Sequence, residues 1–438
     1  MKYQIQEKVK VRRGVGRKMW NLMAKLPLWM RAPLVRRLFA IDNDLPKDLV
    51  FKVAETYEEI EQAFRVAFEA FHERGLVTET ENRLRVTKFH ALPTTSILIA
   101  KKGEEVIATL TVVMDSALGL PLEKLFNIQD VKRKSLRVAE ISTLAIKRNF
   151  RSQRGQLLLP LCNFMYRFCR EYLGVDTLVA AVHPEVQDFY RCVLLFNDIE
   201  GGEVKTYEFV QGAAAVASWL RISDLPKNYI KVYGKKPPKR NLYQFFVHQP
   251  FSQFQFPEKK PYSCSDVSFS PSLLEYFFRH KSEVMEELTN REKEIISTSY
   301  FYPEYRSVIV GDADTKPLFP REQARFTVFC KVRYHFENSR RIYSGHALEA
   351  SRQGLKIAAE KFPEASEGQG IVLSLELEDG STLLLGGHVT WLSAEAGHFG
   401  VRLNTFVPKA WQEHIRGFEN EVLMKIQSEQ ARTSRRFR

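Results

Sequence analysis

Apolar positions fall into two regimes along the chain. Between Lys47 and about Asp224, helical and strand patterns alternate. Ile60, Phe64, Val66, Ala67 and Phe71 put an apolar stripe on a helix over Tyr57 to His72. Ser96 to Ala100 and Val106 to Met114 are β-rich and flank Lys101-Lys102-Gly103-Glu104-Glu105, a hairpin turn. Val138 to Ile146 is another apolar strand. A basic turn follows it, then a helix from about Gln156 to Leu173. A strand over Thr177 to Val182 and a helix over Pro184 to Leu195 complete a mixed α/β order.

Lys231 to Cys264 breaks this regime. Lys235-Lys236-Pro237-Pro238-Lys239-Arg240 and the Phe/Gln/Pro-rich stretch to Pro261 read as a connector laid over the surface. Pro271 to Ser299 predicts one or two helices. From Ala324 the pattern turns all-β, with short runs at Arg325 to His335, Gly354 to Ala358, Gly370 to Leu377, Thr382 to Trp391 and Gly397 to Leu403. Strands spaced by turns predict a small barrel. Ala410 to Ile426 predicts a closing helix. The chain thus divides into a lead segment (1–46), an α/β domain (47–230), a linker and helical segment (231–314), a barrel domain (315–420), and a helix end with a basic tail (421–438).

Composition adds constraints. The 438 residues suffice for two or three domains, and 44% apolar content is that of a globular chain. No apolar run reaches the roughly 18 to 20 residues of a membrane-spanning helix. Met1 to Lys18 lacks the apolar core of a secretory signal. Cys162, Cys169, Cys192, Cys264 and Cys330 have no metal-ligand spacing, so no metal is expected, and reduced thiols point to the cytoplasm.

The net charge of +13 calls for acidic partners, and much of it crowds the first forty residues. Residues 8–39 interleave Lys8, Arg12, Arg13, Arg17, Arg31, Arg36 and Arg37 with Trp20, Leu26, Trp29, Leu34 and Phe39. Such a segment suits an anionic surface, which makes peripheral contact with the inner membrane an expectation. The plainer reading is a helix packed on its own protein, and Pro27 and Pro33 interrupt any single long helix. Nucleic-acid binding has only charge behind it and is not expected.

The candidate chemistry of the first domain lies between Leu92 and Leu220. In order come Leu92-Pro93-Thr94-Thr95, Thr109 to Ser116, Leu118-Gly119-Leu120-Pro121, Val138-Ala139-Glu140-Ile141-Ser142-Thr143-Leu144-Ala145-Ile146, His183-Pro184, Phe189-Tyr190 and Tyr207 to Gly212. In this order the segments resemble the FeeM-type N-acyl amino acid synthases, and the amide formation from a thioester that the resemblance implies needs a neutral amine, a path for its proton and donors for the oxyanion. Glu140 is the candidate to hold or deprotonate the amine; a strand carboxylate paired with a cation is the bland alternative. Asp115 and Ser116 could help hold the amine or simply cap a turn. The turn Lys147 to Gln156, with Arg148, Arg151, Arg154 and Gly155, stands before a helix and suits a phosphate. A solvated basic loop is its alternative.

Those synthases are relatives of the acyl-homoserine-lactone synthases, and the resemblance implies their GNAT-like mixed α/β sheet. The resemblance covers about residues 50 to 224. It implies that Glu140 and Ser142 lie on the active-site strand and that Tyr190 aligns with a tyrosine that protonates the departing thiolate. A core tyrosine with a satisfied hydroxyl is the other reading. It also implies that Arg148, Arg151, Arg154 and Gly155 receive the phosphopantetheine arm of an acyl carrier protein. Leu157, Leu159 and Leu195 stand where the acetyltransferases prefer small residues or glycine.

In the second domain, Pro320-Arg321-Glu322-Gln323-Ala324-Arg325 precedes a strand, and Glu349-Ala350-Ser351-Arg352-Gln353-Gly354 follows about two dozen residues later. Guanidinium forks match phosphate oxygens, and a carboxylate accepts from N–H donors. This resembles the PilZ signature, with Val389-Thr390-Trp391 and Gly400-Val401-Arg402-Leu403 fitting the same domain. The resemblance implies a six-stranded barrel and cyclic di-GMP held by Arg321, Arg325, Glu349, Ser351, Arg352 and Gly354. Glu349 stands where the signature has Asp or Asn. The leading expectation is a cyclic di-GMP-responsive N-acyltransferase using an acyl-carrier-protein thioester and an amine acceptor, with no tightly bound cofactor. A non-enzymatic cyclic di-GMP effector, whose acyltransferase-like half binds a partner or lipid, is the alternative.

Overall fold

The computed structural model describes residues 26–38, 41, 44–151, 157–207, 212–257, 269–300, 302–311, 325–377, 380–395 and 397–436. Arg154, Gly155 and Arg321 lie outside the described residues, as does most of 1–46.

A nine-stranded mixed sheet forms the first body. Its path runs β6 (Asn197–Asp198), β8 (Ala213–Arg221), β5 (Thr177–Val182), β4 (Val138–Ile146), β3 (Glu105–Met114), β2 (Thr95–Lys102), β1 (Leu49–Val53) and β9 (Phe254–Gln255), and β7 (Lys205–Tyr207) pairs with β8 off that path. Among the described residues only β4–β5 and β1–β9 are parallel. Side chains alternate between two buried faces, so β2, β3 and β4 read as near-continuous apolar runs.

Helix Tyr57–His72 covers one face. It starts where Thr56 and Glu59 form a reciprocal capping box, and it buries Ile60, Ala63, Phe64 and Ala67. Helix Leu158–Arg167 covers the other face and ends in a single π turn, Phe168–Tyr172. The helix predicted over Pro184 to Leu195 is two short pieces instead, a 3-10 turn at Pro184–Val186 and a π turn at Phe189–Val193. Leu195 halts it, at φ +62.

Helix Leu28–Leu38 docks on that π turn. Ala32 and Val35 are buried, Arg31 pairs with Asp188 at 2.9 Å, and Arg36 Nε donates to the Cys192 carbonyl at 2.7 Å. Its outer side leaves Trp29, Met30 and Leu34 exposed. Among the described residues no helix is long and apolar enough to cross a membrane.

The stretch read as a surface connector contributes to the core. Phe245, Phe246 and Phe251 are buried, and Phe254 lies in β9 at the sheet edge. Aromatic mass outweighs the polar glutamines between them.

The second body is a closed barrel in the order β10 (Phe326–Phe336), β11 (Tyr343–Ser351), β12 (Gly354–Ala359), β15 (His398–Leu403), β14 (Thr382–Ser393) and β13 (Gly370–Glu376). The strand pattern had not marked Tyr343–Ser351, whose inward positions include the small residues Gly345 and Ala347. Helix Lys409–Arg436 follows, with Trp411 and Ile415 buried. Short helices between 271 and 310 bridge the bodies. Through Phe269, Phe277 and Tyr305 they join the sheet face under Tyr57–His72 to the barrel interior in one apolar cluster.

Candidate functional site

Strands β4 and β5 pair only over Val138–Glu140 and Thr177–Val179 and then part. On its other side β4 carries a bulge. Thr111 faces Ser142 but Thr109 faces Ala145, so β4 holds an extra residue there, and Thr143 has φ +48. A β-branched residue in the left-handed region is strained, and a bulge turns backbone groups out of the ladder. The result is a fork with unladdered backbone at its crotch.

Glu140 lies at the base of the fork, 3% exposed. Its Oε2 accepts from Leu122 N–H at 2.8 Å. Burial pushes its carboxyl up to about 8 against the pull of that N–H, and the nearby Glu123 charge adds to the rise. Glu123 in turn accepts from Leu120 N–H and shares Lys132 with Asp115, each contact at 2.7 Å. Asp115 is therefore ion-paired. Ser142 is half-buried on the same face as Glu140, its Oγ 3.4 Å from that of Thr143.

Sequence reasoning passed over His90, which lies on this face. Thr87 N–H donates to Nδ1 at 3.0 Å, so Nε2 carries the proton and donates to Thr111 Oγ, 3.3 Å away. Burial, helped by the Arg85 charge, lowers the imidazole to about 3, so it stays neutral. Thr111 pairs with Ser142, which brings this neutral donor into the neighbourhood of the β4 bulge. Nothing in the Lys88-Phe89-His90-Ala91 run signals that contact.

The opposite face holds Tyr190. With Leu110, Ile141, Leu144, Leu178 and Tyr229 it lines an apolar cavity of about 20 Å³, room for about one water. Phe189 and Phe196 meet its ring edge-on, and burial raises its hydroxyl well above the ordinary phenol range. Tyr190 and Glu140 are thus separated by the sheet. Leu195 occupies a left-handed position, which glycine adopts without a Cβ penalty.

The basic turn opens into a polar cleft of about 240 Å³ lined by Lys147, Arg148, Arg151, Glu69, Glu73 and Glu105. Its cations are engaged. Lys147 pairs with Glu105 at 2.7 Å, while Arg151 pairs with Glu73 at 2.6 Å and donates to the Ile146 carbonyl at 2.7 Å.

On the barrel, Glu349 lies between Arg325 (3.9 Å) and Lys356 (3.5 Å). Ser351 is buried and its hydroxyl donates to the Gly354 carbonyl at 3.3 Å. Arg325, Glu349, Ser351 and Gly354 therefore come together at the β10–β11–β12 edge. Arg352 does not join them, because its guanidinium forks onto Glu419 of the last helix, with Nε 2.9 Å away.

No curated protein matches the chain. Among solved structures, FeeM, an N-acyl amino acid synthase from uncultured soil microbes, is 19% identical, covering 41% of this chain and 94% of its own, with a TM-score of 0.35. The acyl-homoserine lactone synthase BjaI is 16% identical over 50% of this chain and 97% of its own (TM-score 0.36). The PilZ domain of CeSA from a cellulose-synthesizing bacterium is 14% identical over 22% of this chain and 95% of its own (TM-score 0.19). Family models match at residues 62–221, described as N-acyl amino acid synthase FeeM, and at 319–418, described as PilZ domain. The mixed sheet with the Glu140 fork is a FeeM-type N-acyl amino acid synthase domain, and the closed six-stranded barrel that follows it is a PilZ domain.

Proposed function

We propose that the chain transfers a fatty acyl group from an acyl-carrier-protein thioester to an amine, and that cyclic di-GMP on the barrel regulates the transfer. The observation that carries the first half is Glu140, a buried carboxyl that accepts from Leu122 N–H, has no cation paired with it among the described residues, and is raised by burial. In its ionised form it takes the proton of an ammonium or of the attacking amine. The C–N bond forms, the C–S bond breaks, and the thiolate leaves with the carrier. Bulged backbone at Thr143 supports a place for the developing oxyanion. The acidic carrier would dock at Lys147, Arg148 and Arg151 by exchanging its own anions for Glu73 and Glu105.

For the nucleotide, Arg325 supplies a fork to phosphate or guanine. Glu349, now shared by two cations, becomes the acceptor for guanine N–H groups. Helix Leu28–Leu38, with Trp29 and Met30 exposed next to a cationic lead, would bring the protein to an anionic membrane surface.

A second reading, a non-enzymatic cyclic di-GMP effector, draws on the small Tyr190 cavity and the engaged Arg151. Mass spectrometry of lipids from cells expressing wild type or Glu140→Gln separates the two. An N-acyl product present only with wild type is the expected result; identical profiles would leave the effector reading standing.

A further inference from the structure

Arg137 stands immediately before β4 and is 9% exposed. Its backbone belongs to the sheet, where Asp176 Oδ1 accepts its N–H at 2.8 Å and its carbonyl accepts from Asp176 and Thr177. Its side chain crosses into the barrel. Nη1 donates to the Leu173 carbonyl at 2.8 Å, within the sheet domain. Nη2 donates to the carbonyls of Val328 and, at 3.1 Å, of Leu348, in β10 and β11. The guanidinium carbon lies 5.1 Å from the Phe329 ring centre, and that ring stacks on His346 at 4.7 Å.

The two barrel carbonyls lie at breaks of register. β10 slips against β11 between Thr327 and Cys330, and β11 slips against β12 between Ala347 and Glu349. A bulge leaves a backbone group outside the ladder, and a buried carbonyl without a donor is costly. One nitrogen of the planar guanidinium, Nη2, reaches both, while Nη1 holds the sheet side. The candidate nucleotide surface adjoins these breaks directly: Glu349 follows Leu348 and pairs with Thr327, the residue before Val328. At the other end, Glu140 is three residues along β4 from Arg137.

We propose that Arg137 is the positioning residue through which a nucleotide on the Arg325–Glu349–Ser351 surface sets the placement of β4 and hence of Glu140. The inference rests on the nucleotide reading above and adds the route. A dianionic ligand that draws Arg325 or Lys356 from Glu349 shifts that end of β11, and the Leu348 carbonyl moves with its neighbour. Arg137 is also held by Leu173, so its fork follows only by displacing the start of β4.

Hydrogen exchange on the full chain reads this without turnover. Cyclic di-GMP changes wild-type exchange over residues 138–146 by about fivefold or more, the low end of coupling factors of roughly 5 to 150. Arg137→Met binds the nucleotide and loses that change, and Arg137→Lys, which keeps the charge but not the fork, restores part of it. Should Arg137→Met not fold, Phe329→Ala carries the same expectation, since it loosens the seat and leaves the guanidinium. An undiminished response in either folded variant overturns the route and leaves the sensor intact. So does wild type that binds nucleotide with no change at 138–146. Wild type that binds no nucleotide in calorimetry overturns the sensor reading, and the route goes with it.

Discussion

Two carboxylates define the two halves of this molecule, and they are prepared in opposite ways. Glu140 is buried and accepts from the Leu122 N–H, and its environment favours the proton. Glu349 is partly exposed between Arg325 and Lys356. A group stripped of water and counter-ions is set up to exchange a proton. A group between two cations is set up to exchange ion partners. The sheet is built for proton chemistry and the barrel surface for charge recognition, although both use glutamate.

The hardest test of that contrast is Glu140→Gln. Losing a positioned base costs about 10²- to 10⁴-fold in rate, so kcat/KM for acyl transfer should fall by that range. The same change should stabilise the fold at high pH. The folded carboxyl titrates near 8, above its ordinary value of 4.5, so the folded state binds the extra proton. Stability from this group is present at low pH and lost as pH rises from about 4.5 through 8. Glu140→Gln should therefore melt higher than wild type at pH 9 and close to it at pH 4; equal melting at both pH values would contradict the burial argument. In wild type, kcat/KM should climb with pH and level off above about 8, and that limb should vanish in the variant.

On the barrel side the expected effect is smaller. Arg325→Ala removes a charge-assisted contact, for which about 1.5 to 3 kcal/mol is typical, so cyclic di-GMP should bind roughly 10- to 150-fold more weakly in calorimetry. The loss should shrink as salt rises, because Arg325 is half exposed. A salt-independent loss would mean that Arg325 acts through packing, and the contrast with Glu140 would weaken.

Gly174, where the two bodies touch, and Gly103, in the hairpin turn between β2 and β3, form a matched pair. Both have φ +59, but a Cβ at Gly174 would fall 2.5 Å from the Phe329 ring, whereas Gly103 faces open space. Gly103→Ala measures the cost of the left-handed backbone alone, about 1 to 2 kcal/mol. Gly174→Ala adds overpacking of about 1 to 3 kcal/mol. A greater loss of stability at Gly174 in denaturant melts is expected; equal losses would mean that the sheet and barrel do not meet at Phe329.

Strong local signals were legible in the sequence. The stripe of Tyr57–His72 and the apolar runs Val138–Ile146 and Thr177–Val182 appear with the predicted bounds. Glu140 was legible as a residue and as a strand position; its burial was not, because burial depends on Leu122 and on the helices packed over the face. β11 was missed because glycine and alanine fill its inward positions. The burial of Phe245 and Phe251 was hidden by polar neighbours in sequence. The cross-fold contacts of Arg137 and His90 carry no local signal, since Val328, Leu348 and Thr111 lie on strands distant in sequence. Contacts made across a fold leave little trace in a run of residues.

Arg352 offers the mildest test. A motif reading places it beside the nucleotide, while its guanidinium is spent on Glu419. The arginine is more than half exposed, and an ion pair of that kind contributes about 0.2 to 1 kcal/mol. Arg352→Ala should therefore lower the melting temperature only slightly and leave nucleotide affinity within about threefold of wild type, a difference below 1 kcal/mol. A loss as large as that of Arg325→Ala would mean that the nucleotide pulls Arg352 away from the last helix. Glu419→Gln would then tighten binding, since it removes the competitor for that guanidinium.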